Sequence, residues 1–354
     1  MPSQITKNDG VATVGSAWHG LSEEVDKAMT SKEAIELANL DWKVGTREIY
    51  VHDGNQQKML EKWNSVYRVD TGEDFAIMGK GYTPVQNTEM FKMFDSIVGS
   101  GEAFYHTVGS LFGGRKVWLL AKFNGEVKLD DGDVLDKYVL LSNAHDGSGA
   151  LTAMFTPVRV VCWNTLSVAL RGGNQEDSKR MYLRHTQGIT EKAIDVRKYL
   201  GLENLYYERM MEECNSLIQK SFTKEQMAEL SLQLYRGNEE IENIEDIKGT
   251  SRSSVEQTIS LFNHGIGTNG ENAYDAFNAV TEFLDHSLPI GGSIDSILSE
   301  DDSVREKRLN QTWFGKGQSV REKTFNILSA DNYDELLKPR NENLIADLAG
   351  SVNN

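Results

Sequence analysis

Hydrophobic and polar residues alternate with a period of two in the first half of the chain and of 3.6 in the second. Lys43 to Val51, Ser65 to Val69 and Phe75 to Met78 alternate, which predicts strands because every second side chain shares a face. Asp53-Gly54-Asn55 and Thr71-Gly72-Glu73 supply turns between them. Asn87 is placed to cap a helix to about Val98, with Met90, Phe91, Phe94 and Ile97 on one face. Ala103 to Val108 and Lys116 to Phe123 predict strands around a Gly113-Gly114 turn. Val127 to Leu129, Tyr138 to Ser142 and Leu151 to Val161 follow as further strands. Pro157 marks the last as an edge or a bulge, since proline cannot donate to a ladder. Ahead of all these, residues 1–30 read as a poorly ordered start with Trp18-His19-Gly20-Leu21 as an apolar anchor. A short helix over Ser31 to Leu40 follows, capped by Ser31.

Asn164 or Thr165 can cap a short helix ended by Gly172-Gly173. From Thr190 the pattern predicts helices at about 190–219, 223–236, 253–264, 271–286, 303–313, 319–329 and 331–338. Thr223 with Gln226 and Ser253 with Glu256 fit the capping box, and Gly265 fits a stop. The expected fold is α+β. An antiparallel sheet with packed helices fills residues 1–188, and a mostly helical acidic portion fills 189–354.

Charge sharpens that division. The net charge of −16 splits as −5 over residues 1–100, +2 over 101–200 and −13 over 201–354. A uniformly acidic chain would exclude a polyanion ligand, whereas here the middle leaves room for a local basic patch. No apolar run is long enough to span a bilayer, and the polar first residues lack a signal core. Two cysteines, Cys162 and Cys214, make no disulfide framework, so the expected setting is the cytoplasm.

The candidate chemistry is better at excluding than at naming. Gly109 to Lys116 has the glycine spacing of a P-loop, but Arg115 and Lys116 stand where lysine and a hydroxyl residue belong. A strand-like segment also follows where a helix must open. The stretch is then a turn with two solvated cations, or a hairpin presenting Arg115 and Lys116 to phosphate. Gly79-Lys80-Gly81-Tyr82 has Pro84 at the place of a third fingerprint glycine, so no dinucleotide site is expected. Tyr82 there either packs or faces a base. His145-Asp146 sits among turn formers, and Cys162 among apolar neighbours. Asp285-His286 closes an amphipathic helix that carries Phe277, Val280, Thr281 and Leu284 on one face. No histidine or cysteine spacing suggests a metal, and no catalytic residue or cofactor is expected. Arg159, Arg171, Lys179, Arg180, Arg184, Arg197 and Lys198 follow one another in the near-neutral middle. With Trp118, Trp163, Tyr182 and Tyr199 they form the cation-and-ring mixture that single-stranded nucleic acid uses, though the same residues also suit a solvated face and a core.

Four phrases carry a family resemblance: GKGYTPVQN from Gly79, GSLFGGRKVWLLAKF from Gly109, SNAHDGSGALTAMFTPVRVVCWNTL from Ser142 and NAVTEFLDH from Asn278. In that order they resemble the phage/plasmid-like proteins of unknown function (domain of unknown function 932), from about Trp18 to about Lys338. The resemblance implies genes of phages and plasmids, near replication and recombination functions, and brings no catalytic residues. A weaker, fold-level resemblance is to phage single-strand annealing proteins, which lay a hairpin sheet against a helix and bind single-stranded DNA as rings or filaments.

The expectation is therefore a non-enzymatic, phage-encoded, self-associating protein that binds or anneals single-stranded DNA in the host cytoplasm. Lys80, Arg115, Lys116, Arg159, Arg171, Lys179, Arg180 and Arg184 would contact phosphate, and Tyr82, Trp118 and Trp163 would stack or support the groove. The alternative is a factor that binds a host or replication protein through the acidic helices. A third reading is an enzyme using His145, Asp146 and Arg159.

Overall fold

A computed structural model describes residues 11–14, 23–25, 29–54, 56–98, 101–159, 180–189, 198–237, 241–290 and 301–351. The chain divides into two compact units. One comprises Met1–Asn124, Lys137–Phe155 and Gln175–Asn204; the other comprises Gly125–Asp136, Thr156–Asn174 and Leu205–Asn354.

The fold is α+β, with antiparallel sheets in the N-terminal half and helices in the C-terminal half. In chain order the strands are β1 (Val11–Val14), β2 (Glu23–Val25), β3 (Val44–Asp53), β4 (Gln56–Arg68), β5 (Asp74–Gly79), β6 (Ala103–Leu111), β7 (Lys116–Lys128), β8 (Val134–Ala144), β9 (Leu151–Arg159) and β10 (Arg180–Leu183). They form one sheet in the order β10-β9-β8-β7-β6-β1-β2 and a smaller one in the order β3-β4-β5. β1 runs antiparallel to β6 and parallel to β2. Val11–Val14 therefore belongs to a sheet, although the polar start predicts no order there. Four residues are too short to show a period, and β6 supplies the partner.

Helix α1 (Ser31–Leu37) begins one residue earlier than the pattern suggests. Thr30 is its cap, accepting from the Glu33 amide at 3.2 Å while Glu33 reaches back to the Thr30 amide at 2.8 Å. Helix α2 (Asn87–Val98) packs Met90, Phe91 and Phe94 into the core, and the Phe91 and Phe94 rings lie against Tyr105 of β6. Asn87 does not cap it. The Asn87 amide turns inward to the Leu40 carbonyl at 3.0 Å. Pro157 lies on β9, which runs between β8 and β10 and so is not the edge strand that the proline suggested; the described pairing with β10 covers Leu151–Met154.

The second unit is built on α3 (Glu203–Ile218), α4 (Lys224–Tyr235), α5 (Gly249–His264), α6 (Ala273–Glu282), α7 (Asp302–Phe314), α8 (Lys316–Ser329), α9 (Tyr333–Leu336) and α10 (Glu342–Ser351). Every residue of α6 is buried, so it is the hub that the other helices cover. Thr223 and Gln226 form the expected capping box on α4. Ser253 caps nothing, because α5 starts at Gly249 and Ser253 bonds Gln257 one turn on. The acidic turn Asp130–Asp133 belongs to this unit, where the Tyr274 hydroxyl donates to Asp133 at 2.8 Å. Among the described residues, no helix is long and apolar enough to cross a membrane.

Candidate functional site

The Gly113-Gly114 turn is built for packing. Phe112, Gly113 and Gly114 all take positive φ, at 57°, 71° and 92°. A Cβ on Gly114 would sit 2.7 Å from the Trp42 ring. Arg68, buried and paired with Asp70, lies 4.4 Å over that ring and donates to the Gly113 carbonyl. Arg115 then points back into the protein. It donates to the Phe75 carbonyl at 2.6 Å, the Glu73 carboxylate at 2.8 Å and the Asp74 carbonyl at 3.2 Å. This guanidinium ties β5 to the hairpin, so the structure does not hold it out to phosphate. Lys116 is half-buried, and burial lowers its pKa against the pull of Asp146. Trp118 is fully buried and unreachable for a base; it is a core residue of β7.

Beside this turn lies a layer of rings and amides. His145 is completely buried, stacked on Phe75 at 6.1 Å and edge-on to Trp42 at 5.5 Å. Its amide donates to the Arg115 carbonyl at 2.7 Å. Because the Asn87 amide nitrogen is committed to Leu40, the Asn87 oxygen must accept from His145 Nε2, at 3.0 Å. Burial, aided by the nearby His185, pushes the His145 pKa down to about 3, while Asp146 only partly opposes this. Sealed and neutral, this imidazole orders the core and does not suit the enzymatic role considered for His145-Asp146.

His185, 7 % exposed, is a second histidine here. Tyr82 stacks on it at 4.9 Å and reaches the Ala144 carbonyl with its hydroxyl, and Thr83 donates its amide to the His185 carbonyl at 3.1 Å. Burial raises the Tyr82 hydroxyl and lowers the His185 imidazole. Tyr82 is thus a packing ring that joins the 79–87 loop to the 184–185 segment. His185 had no sequence signal beyond its place after a short strand.

The solvent-facing groups form a different set. Trp63 on β4 is 48 % exposed and lies opposite Gly79 of β5. Lys62 and Lys80 are exposed, and the Lys80 amide donates to the Lys62 carbonyl at 3.1 Å, so the two residues adjoin Trp63. Through the Tyr82–His185 stack the same loop reaches Arg184, which is exposed, and Tyr182, 58 % exposed. Of the sequence-selected residues, Lys80 and Arg184 are exposed, while Tyr82, between them along this path, packs on His185. Arg115, Lys116 and Trp118 are anchored or buried behind the hairpin. Arg159 and Arg180 lie on β9 and β10 without a described side chain, and Trp163, Arg171 and Lys179 lie outside the described residues. So do Trp18, Cys162, Asn164, Thr165, Gly172, Gly173 and Arg197. Trp63 and Lys62 escaped the sequence reading. Their signal was an indole within the polar run Glu61-Lys62-Trp63-Asn64. Tyr199, grouped with the stacking rings, is buried against Phe155 at 4.7 Å. Among the described residues, no group of three or more metal-ligating side chains converges.

These features define an α+β protein with a buried histidine layer and, on the same unit, exposed rings and cations. Residues 74–324 match the family described as Domain of unknown function (DUF932), and the chain belongs to that family. No curated protein and no solved structure matches the chain.

Proposed function

We propose that this protein binds single-stranded nucleic acid, DNA first of all, through the surface around Trp63, and that it serves annealing or recombination of phage DNA in the host cytoplasm without a covalent step. The observation that carries the reading is a half-exposed indole adjoining Lys62 and Lys80. Burying that ring against a base would recover the apolar area that the fold leaves in water, and exposed lysines at the neighbouring positions would neutralise phosphate. Tyr182 and Arg184 extend the same pairing of ring and cation. The likeness to phage and plasmid proteins supports the biological setting.

The test is fluorescence anisotropy of a labelled single-stranded oligonucleotide at two salt concentrations. Binding should weaken with salt. Trp63→Ala should lose about 1–3 kcal/mol of affinity. Lys62→Glu/Lys80→Glu should reduce the salt slope by about 2, one unit per lost phosphate contact. No binding at low salt, or a Trp63→Ala protein that binds like wild type, would end this reading.

A second reading, capture of a replication protein by the acidic helices, is favoured by a cavity of about 410 Å³ in the helical unit, where Leu232, Ile241 and Leu344 lie beside Arg236 and the Glu229–Arg340 pair. Ile241→Asp, at a half-buried position of that lining, should then abolish capture of the partner while leaving oligonucleotide binding intact.

A further inference from the structure

Strand β3 is an edge of the smaller sheet, and over Thr46–His52 its side chains are exposed apart from the half-buried Ile49. β5 pairs with β4 only between Trp63 and Tyr67. Past a register break between Glu48 and Tyr50, where β4 bulges between Asn64 and Met59, β3 and β4 continue as a two-stranded ribbon, paired from Tyr50–Met59 to Asp53–Gln56 and closed by Gly54 at φ 60°. A ribbon of two strands is marginal in water unless something covers it. Here Tyr50 is 47 % and Val51 38 % exposed, and Ile49, Met59 and Leu60 are only half-buried. A long edge with apolar residues and no proline on its outer side is a template for another strand.

The order of residues on that edge selects the other strand. Arg47-Glu48-Ile49-Tyr50-Val51-His52-Asp53 reads basic, acidic, apolar, aromatic, apolar, imidazole, acidic. Arg47 is committed within its own copy to Asp74 and Gly72. Laid antiparallel against itself about Tyr50, the strand sets position 48 opposite 52 and 49 opposite 51, so a carboxylate meets an imidazole that can donate to it and each apolar residue meets another. Such a self-complementary order suits a two-fold axis, where each pairing occurs twice. We infer that β3 is the self-association edge of this protein: two copies pair β3 to β3 about Tyr50 and join the two small sheets into one six-stranded sheet. Tyr50 meets Tyr50 of the second copy on the axis. Glu48, which already accepts from the Tyr50 hydroxyl at 2.7 Å, accepts an N–H from His52 of the second copy. Main-chain bonds along the edge supply the affinity, and the cross-strand pairs set the register.

Sedimentation velocity without nucleic acid tests this, and its failure would leave the Trp63 reading untouched. Wild type should be a dimer that dissociates on dilution. Glu48→Lys removes the carboxylate that accepts from His52, and His52→Glu sets a glutamate against Glu48; each should weaken the dimer by about tenfold or more. The double variant Glu48→Lys/His52→Glu sets a lysine opposite a glutamate across the axis and should regain the dimer. Both positions are on the surface, so circular dichroism should show every variant folded. A wild type that stays monomeric, single variants that dimerise as wild type does, or a double variant that fails to recover would each overturn the proposal.

Discussion

Gly114 shows how little room one residue can have. Its φ of 92° and the Trp42 ring at the place of its missing Cβ both demand glycine. Gly114→Ala should cost about 1–3 kcal/mol in urea unfolding, with the hairpin rather than a ligand as the cause. A Gly113→Ala protein meets only the flexible end of Glu73 and should lose less. His145 makes the matching case for charge. Unfolded, it takes up a proton near its ordinary value of 6.5; folded, it resists until about pH 3. Between those values the unfolded chain holds more protons, so stability is whole above pH 6.5 and declines as the pH drops. At pH 5 the loss should be about 2 kcal/mol. Burial shifts His185 in the same direction and adds to it. Denaturation midpoints at pH 7.5 and 5 would check this: His145→Gln should be weaker at pH 7.5 yet fall less between the two.

At the scale of elements, the helical unit is pinned by an ion pair. Arg321 of α8 and Asp285, in the turn that follows α6, are both wholly buried and bonded, and Arg321 also donates to the Thr312 carbonyl at 2.7 Å. That turn, Phe283–Ser287, is a π-turn, which aims Asp285 inward. Arg321→Ala strands the carboxylate and should cost about 3–5 kcal/mol, while Asp285→Ala/Arg321→Met should recover much of the loss. A double-mutant cycle read by thermal unfolding would show that coupling. Thr223→Ala removes the cap of α4 and should cost only about 1 kcal/mol. The contrast follows from solvent: water replaces a lost cap at a helix end but cannot reach Asp285.

For the whole molecule, the succession of strands and helices was legible, because period two and period 3.6 are written locally. The helices at 223–236 and 303–313 and the Gly113-Gly114 hairpin came out close to their observed bounds. The misses have definite causes. Glu342–Ser351 passed unread as a helix although Leu344, Ile345 and Leu348 stand at helical spacing; ten residues carry that signal for too few turns, and the core contacts of these three side chains settle it. β7 runs to Lys128 through Asn124 and Gly125, which sequence rules treat as breakers but which a paired neighbour can carry. Val11–Val14 needed β6 beside it.

Local composition thus determined the fold class, the turn glycines and most helix bounds, since these depend on neighbours within a few residues. Tertiary structure alone decided which cations face water. Arg115 and Lys80 look equivalent in the sequence, yet one is spent on Glu73 and Phe75 while the other stays exposed beside Trp63. The physical reason is that a charge's availability depends on what is packed around it, and the partners of Arg115 come from a segment about 40 residues away along the chain.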